Sequence, residues 1–204
     1  MPTIYIENKE ELPERKELDF YPTPREFVRT TLHWLNNVLD IEPRQILDPG
    51  AGLGVWGDEA RSVWDHVYIT GVELNKPDSL YSSAFDEIHF GDYLEFTSDH
   101  KYNLIIGNPP YYLQEEFIDK SFSLLLDGGY LGFLLKLSFL ESQKRYNLYF
   151  GTDNRRPKHV WVSVRRISFT GDRKSNADAY CFVVWKKGWL GNTELAWLNW
   201  EYDK

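Results

Sequence analysis

The segment QILDPGAGLG, residues 45–54, indicates the fold of this chain most directly. Its apolar start, Gln45–Asp48, predicts a short buried strand, and the residues after Gly54 predict a helix over 55–64. The glycines between these elements permit a tight turn and let the backbone approach a ligand closely. The amino end of the following helix favours negative charge. The stretch therefore fits a nucleotide-like ligand, and an ordinary strand-to-helix turn is the alternative.

The rest of the chain alternates predicted strands with predicted helices. Upstream, a helix is predicted over 24–39, with Pro24 at its first position and Thr23 as its cap. Downstream, strands are predicted at 66–73, 88–90, 103–106, 130–137, 159–168 and 179–185, and helices at 114–126 and 141–150. Asp127-Gly128-Gly129 is a signal that ends the helix before it. This alternation predicts an α/β fold with a mostly parallel sheet and an antiparallel edge at the last two strands.

The composition is that of a globular protein, since 42% of the 204 residues are apolar and 26% are charged. We expect one domain over 1–204, with 1–23 as a lead-in segment. No apolar run approaches the roughly 20 residues of a membrane span, and the N-terminus lacks the apolar region of a secretory signal. The single cysteine, Cys181, excludes an intramolecular disulfide and a cysteine-based zinc site. We expect a cytoplasmic, metal-independent protein.

The charge is distributed unevenly along the chain. The net charge is −8, yet the segment from Lys144 to Lys174 holds nine Lys and Arg against two acids. A basic segment inside an acidic protein is the electrostatic footprint expected for a polyanion such as nucleic acid. A solvated charged face is the alternative.

Acidic residues follow the second and third predicted strands. Glu73 ends the second strand, 19 residues after Gly54, where an acid can hold the two hydroxyls of a ribose. Asp92 ends the third strand, where it can accept a hydrogen bond from an exocyclic amine. The turn, Glu73 and Asp92 occur in the order that one adenosine-containing ligand needs. At this point NAD remains an alternative.

The tetrad Asn108-Pro109-Pro110-Tyr111 ends the fourth predicted strand. The two prolines stiffen the backbone and remove two donors, so the carbonyl of Pro109 can serve as a fixed acceptor. The amide oxygen of Asn108 supplies a second acceptor. Two acceptors aimed at one NH₂ group hold a planar amine and free its lone pair for attack on a methyl group. Tyr111 offers a flat face on which a base or another planar amide can stack.

Together these motifs resemble the class I S-adenosylmethionine-dependent methyltransferases, in particular the DNA methyltransferases that modify adenine N6. Tyr21-Pro22-Thr23-Pro24 resembles the family's N-terminal motif, 48–54 its cofactor motif and 108–111 its catalytic motif. The motif order resembles the gamma arrangement. The resemblance implies a Rossmann-like sheet of seven strands in the order 3-2-1-4-5-7-6, with strand 7 antiparallel and helices on both faces.

The resemblance also implies the site, with S-adenosyl-L-methionine as cofactor and DNA as substrate. It implies the catalytic residues Asn108, Pro109, Pro110 and Tyr111. It implies the cofactor-binding residues Tyr21, Thr23, Asp48, Pro49, Gly50, Ala51, Gly52, Glu73, Leu74, Asp92, Tyr93 and Asn108. It places Tyr111 and Phe169 on the two faces of an adenine that has left its stack, with Arg173 or Lys174 near phosphate.

The chain departs from this family in one respect, because only about 19 residues follow Trp185. We expect no separate target-recognition domain, so specificity would come from a short site, an unpaired substrate, a homodimer or a partner subunit. The same tetrad also serves RNA base methyltransferases and protein glutamine N5-methyltransferases, and it does not separate adenine N6 from cytosine N4. A non-catalytic cofactor-binding subunit is a further alternative.

Overall fold

Strands and helices alternate as the sequence predicts in the computed structural model, which describes residues 3–6, 22–40, 42–76, 83–152, 155–169 and 177–202. The strands are β1 (Thr3–Ile6), β2 (Gln45–Pro49), β3 (Tyr68–Glu73), β4 (Glu87–Phe90), β5 (Tyr102–Gly107), β6 (Leu125–Lys136), β7 (His159–Ser163), β8 (Tyr180–Lys186) and β9 (Glu194–Leu198). The helices are α1 (Arg25–Val38), α2 (Val55–Val63), α3 (Gln114–Leu124) and α4 (Gln143–Arg145). A π-helical turn, Tyr146–Phe150, continues α4, and 3₁₀ turns cover Tyr111–Leu113 and Leu137–Leu140.

The strands of the described residues form one sheet in the order β1-β4-β3-β2-β5-β6-β8-β7-β9. Strand β8 runs antiparallel to both β6 and β7, and the other pairs are parallel. The inner seven strands, from β4 to β7, confirm the order 3-2-1-4-5-7-6 with its antiparallel seventh strand. The edge strands β1 and β9 extend this sheet and were not predicted.

The central strands are apolar on both sides because helices cover both faces of the sheet. Neighbouring residues of β2 show the alternation: Ile46 packs in a core cluster with Leu35 of α1, and Leu47 packs in a second cluster with Phe117 of α3. Helix α2 joins the first face through Trp56. The glycine turn that follows β2, residues 50–54, therefore lies between two packed layers.

Helix α1 begins at Arg25, and Thr23 does not cap it, contrary to the sequence prediction. The hydroxyl of Thr23 instead accepts a hydrogen bond from Nδ2 of Asn108 at 3.2 Å. The first helical turn is closed by the backbone, since the N–H of Val28 donates to the carbonyl of Pro24. Thr23 is thus directed towards the tetrad.

The ends of α3 and β7 also differ from the prediction. Helix α3 ends at Leu124 because Leu125 already pairs with Tyr102, so Asp127-Gly128-Gly129 lies within the range of β6 and does not cap the helix. Strand β7 ends at Ser163 and not at residue 168. Beyond it, the guanidinium of Arg165 donates to the carbonyl of Trp200, which draws this segment towards the C-terminal residues.

No helix among the described residues is long and apolar enough to cross a membrane. The same residues contain no group of three or more His, Cys, Asp or Glu side chains that could hold a metal ion. Cys181 lies fully buried in β8.

Candidate functional site

A cavity of about 280 Å³ opens at the carboxyl ends of β2, β3 and β5. Its walls come from the segment before α1, the glycine turn, the first turn of α2 and the tetrad. The lining residues are Pro22, Thr23, Arg25, Gly50, Ala51, Gly52, Leu53, Val55, Trp56, Asp58, Glu73, Asn108, Pro109, Pro110 and Tyr111. The two motifs that lie about 60 positions apart in the sequence therefore meet in one cleft.

The glycine turn forms one wall of the cavity and needs its glycines. Gly50, Gly52 and Gly54 have φ angles of 76°, 56° and 89°, which other residues adopt only at a cost. The N–H groups of Gly50 and Ala51 donate to the carbonyl of Val72 at 2.8 and 3.0 Å. These bonds fix the turn against the end of β3.

Glu73 is buried at the end of β3 and braces the turn. Its Oε2 accepts a hydrogen bond from the N–H of Gly52 at 2.9 Å, and its Oε1 accepts one from Asn75 at 3.3 Å. Its backbone carbonyl accepts the N–H of Gly91, which brings the end of β4 alongside. The carboxylate lies in the cavity wall, where the sequence predicted a ribose partner.

Asp48 is 1% exposed at the end of β2. Neither of its carboxylate oxygens accepts a hydrogen bond from the described part of the chain. Burial, reinforced by the charge of Glu73, raises the pKa of Asp48 well above its ordinary value. A Cβ on Gly107 would stand 3.0 Å from Oδ1 of Asp48, so glycine at that position leaves room for the carboxylate. The carboxylate oxygens of Asp48 can therefore accept hydrogen bonds from a donor that does not belong to the described residues.

The structure places Asp92 and Tyr93 beyond the cavity lining formed by the described residues. Oδ1 of Asp92 accepts the N–H of Leu94 at 2.8 Å. The phenol of Tyr93 is buried and pairs with the hydroxyl of Ser121 at 2.8 Å, and burial raises its pKa. The ring of Tyr93 therefore packs in the core beneath α3, while Asp92 stays at the carboxyl edge of the sheet beside Glu73.

The tetrad leaves β5 directly at the cavity. The hydrogen bond from Asn108 to Thr23 joins it to the segment before α1. Pro109 and Pro110 also line the cavity, and Pro110 adopts an extended backbone before the 3₁₀ turn that begins at Tyr111. Thr23, which was predicted to face the cofactor, is thus in direct contact with Asn108, which was predicted to bind the acceptor.

Aromatic rings connect Tyr111 to Phe169. The ring of Tyr111 lies 5.7 Å from that of Tyr180, and the ring of Tyr180 lies 5.2 Å from that of Phe169. Phe169 is 5% exposed, so its ring reaches the tetrad through Tyr180. Three further predicted site residues lie outside the described residues: Tyr21, Arg173 and Lys174.

Sequence reasoning missed several residues around the cleft. Arg25 lines the cavity and binds Asp58 and Glu59 of α2 at 2.6 and 2.8 Å. Lys136 is the last residue of β6, and its Nζ lies 5.4 Å from the centre of the Tyr111 ring. The rule that ligands bind beyond the carboxyl ends of parallel strands could have singled out Lys136. The start of a helix directly after a site motif was the available signal for Arg25.

The basic segment from Lys144 to Lys174 is offset by acids from elsewhere. Lys144 and Arg145 both bind Glu115 at the start of α3. Arg155 binds Asp119, and Arg165 binds Glu201 at 3.0 Å. In the described part of this segment these ion pairs favour the solvated charged face over a free polyanion footprint.

Comparisons with known proteins agree with this architecture. No family model matches the sequence. Over 75 residues the chain is 36% identical to the type II methyltransferase M.CvrRI of Paramecium bursaria Chlorella virus XZ-6E, a match that covers 36% of this chain and 20% of that relative. The chain thus spans a fifth of the length of the curated relative that it matches.

Solved structures share the fold over nearly the whole chain. A candidate class I S-adenosylmethionine-dependent methyltransferase from Listeria monocytogenes has a TM-score of 0.70 and 16% identity, over 91% of this chain and 68% of that one. The M protein of the type I restriction enzyme EcoKI has a TM-score of 0.61 and 16% identity, over 90% and 49%. A candidate RNA methyltransferase from Pyrococcus horikoshii has the same fold. With its strand order and its cleft, the chain has the fold of the class I S-adenosylmethionine-dependent methyltransferases.

Proposed function

We propose that this chain is an S-adenosylmethionine-dependent methyltransferase that transfers a methyl group to the exocyclic N6 amine of adenine in DNA. The observation that carries the proposal is the position of Asn108. Asn108 directly follows β5, and its side chain lies in the same cavity as the glycine turn after β2, within hydrogen-bond distance of Thr23. A cofactor over the turn and an amine held at Asn108 would therefore share one cleft.

The cofactor side of the cleft fits S-adenosylmethionine in its donors and acceptors. Asp48 offers buried carboxylate oxygens to the cationic amine of the methionine moiety. Glu73 suits the hydroxyl pair of the ribose, and Asp92 at the next strand end suits the adenine. The bound cofactor supplies an electrophilic methyl group on its sulfonium. Pro49 and Leu74 directly follow Asp48 and Glu73 in the chain, and Tyr93 follows Asp92 with its ring packed in the core beneath α3.

The acceptor side is formed by the tetrad. The amide oxygen of Asn108 and the carbonyl of Pro109 each accept a hydrogen bond from the target amine, which orients its lone pair. The two prolines keep these acceptors in place, so little reorganisation accompanies the reaction. Tyr111 packs against the ring that carries the amine. The proton of the methylated amine leaves to solvent, so the chain needs no dedicated base.

The choice of DNA rests on the relatives, because the tetrad also serves methyltransferases that act on RNA and on protein glutamine. M.CvrRI is a type II methyltransferase, and the EcoKI M protein belongs to a type I restriction enzyme. We therefore propose a role in restriction–modification, with target recognition aided by a second copy or by a partner subunit. RNA is the second candidate, because the candidate RNA methyltransferase shares the fold. The ion pairs of the basic segment remove one argument for nucleic acid, so the acceptor class requires a direct test.

The test is transfer of labelled methyl groups from S-adenosylmethionine to duplex DNA, single-stranded DNA, RNA and protein extract, in parallel at low salt. The products are digested and identified by mass. The Asn108→Ala variant, purified identically, measures the background from host methyltransferases. N6-methyladenine from DNA above that background supports the proposal. Label in RNA, on cytosine or on glutamine would replace the substrate, and no transfer by a protein that binds the cofactor would favour a non-catalytic subunit.

A further inference from the structure

The function proposed above assigns no role to a small cluster beside Tyr111. It consists of Lys136 at the end of β6, Tyr180 at the start of β8, and Asp178, which precedes β8 by two residues. In the antiparallel pairing of these strands, Lys136 stands opposite Tyr180. The N–H of Leu137 also donates to the carbonyl of Ala179 at 2.8 Å, so this register is held beyond the end of the strand.

One ammonium group connects these segments to the tetrad. Nζ of Lys136 binds Oδ2 of Asp178 at 2.7 Å and lies 5.4 Å from the centre of the Tyr111 ring. A cation at that distance from an aromatic ring is attracted by the negative face of the ring. Lys136 and Asp178 have side chains that are 37% and 45% exposed, so the ion pair contributes little to stability.

Tyr111 is therefore contacted from two directions. Lys136 lies over the ring, and Tyr180 packs against it at an interplanar angle of 41°. Tyr180 is buried and leans on Phe169, so it forms a rigid support. The side chain of Lys136 is 37% exposed, so its contact with the ring faces solvent, whereas the contact of Tyr180 is buried.

We propose that Lys136 is a positioning residue that holds the ring of Tyr111 in the orientation that receives the acceptor, while Asp178 holds the ammonium group in place. The inference rests on the proposed function only for the identity of the acceptor. Lys136 acts through Tyr111 and does not touch the reacting amine. Its loss should therefore weaken binding of the acceptor and leave binding of the cofactor unchanged.

The test compares Lys136→Met, which keeps the length of the side chain and removes its charge, with Lys136→Arg, which keeps the charge. Steady-state kinetics use saturating cofactor and whichever acceptor the wild-type protein methylates. We expect Lys136→Met to raise the KM for the acceptor by about 3- to 30-fold, the range of a cation–aromatic contact. The affinity for S-adenosylmethionine should change less than about twofold, and Lys136→Arg should restore most of the KM. Asp178→Asn should give an intermediate KM.

A second readout does not depend on turnover. In protein labelled with ¹³C at the tyrosine ε carbons, the signal of Tyr111 is assigned by its absence in Tyr111→Phe. Lys136→Met should shift or broaden this signal, and Lys136→Arg should keep it near its wild-type position. An unchanged Tyr111 signal and an unchanged KM would overturn the inference, as would a KM in Lys136→Arg as high as in Lys136→Met. Absence of wild-type transfer to every acceptor would overturn the proposed function, and the ¹³C signal would still decide the role of Lys136.

Discussion

Burial of Asp48 at the cleft has an energetic cost for the folded protein. A carboxylate that is 1% exposed and has no hydrogen bond within the described residues is destabilising when it is charged. Its pKa is raised first by burial and then by Glu73. The folded protein therefore binds a proton at Asp48 more tightly than the unfolded chain does. The stabilising contribution of Asp48 is fully present below the pKa of the group in the unfolded chain, near 3.8. It is lost as the pH rises through the pKa of Asp48 in the folded protein.

The Asp48→Asn variant tests this cost. We expect the cofactor-free wild type to lose stability relative to the variant as the pH rises from 5 to 8, by at most about 1.4 kcal/mol per pH unit. Urea unfolding of both proteins at several pH values measures the difference. Calorimetric titration should also show weaker binding of S-adenosylmethionine to the variant. Parallel pH profiles of stability for the wild type and Asp48→Asn would contradict this explanation of Asp48. The control variant is Gln114→Ala, because Gln114 is not among the residues that line the cleft.

Cys181 provides a simpler prediction at the same scale. It is fully buried in β8, and burial raises the pKa of its thiol to about 12. The thiolate that reacts with disulfide reagents is therefore scarce and shielded. We expect no reaction with Ellman's reagent in native protein over minutes, and one equivalent of reaction in denaturant. Rapid labelling of native protein would show that the centre of the sheet opens.

Among the elements, the segment between β6 and α4 depends on one side chain. The guanidinium of Arg145 binds Glu115 at 3.0 Å and donates to the carbonyls of Ser138 and Glu141 at 3.2 and 3.0 Å. It also lies 5.0 Å from the centre of the Phe139 ring. The side chain thus joins the start of α3 to the turn that follows β6, and its role is structural.

Replacement of Arg145 by Ala should lower the free energy of unfolding by about 1–3 kcal/mol, because several carbonyls and Glu115 lose a partner together. The neighbouring Lys144→Ala is the control, since Lys144 is 71% exposed and its ion pair with Glu115 is worth about 0.5 kcal/mol or less. Chemical denaturation measures both changes. Equal effects in the two variants would mean that the segment is held by charge alone.

The helices and strands also show which features of the fold the sequence can predict. The glycine turn and the tetrad are local patterns with local causes. The sequence of residues 48–54 and 108–111 was therefore enough to predict that both motifs lie at strand ends. Helix α3 ends early because Leu125 pairs with Tyr102, a contact between distant parts of the chain. The ion pairs of Lys144 and Arg155 with acids of α3 are equally non-local. Periodicity and charge counts contain no information on such pairings.

At the scale of the whole molecule, the cleft lies where the order of strands reverses direction. From β2 the chain proceeds to β3 on one side, and β5 then returns to pair with β2 on the other side. The close approach of Gly107 to Asp48 marks this junction. Ligands of open α/β sheets bind at such a point, which explains why the two motifs converge. The seven inner strands followed from the resemblance, whereas β1 and β9 at the edges did not.

We propose that one cleft binds the cofactor through the glycine turn and the acceptor through Asn108. The most direct test measures the affinity for S-adenosylmethionine and the single-turnover rate of methyl transfer in the wild type and in Asn108→Ala. We expect Asn108→Ala to have an affinity within a few-fold of the wild type and a rate lower by about 10²-fold or more, the scale of losing one preorganised hydrogen bond to the reacting group. A variant that keeps its transfer rate, or one that loses affinity in proportion to rate, would refute this assignment of Asn108.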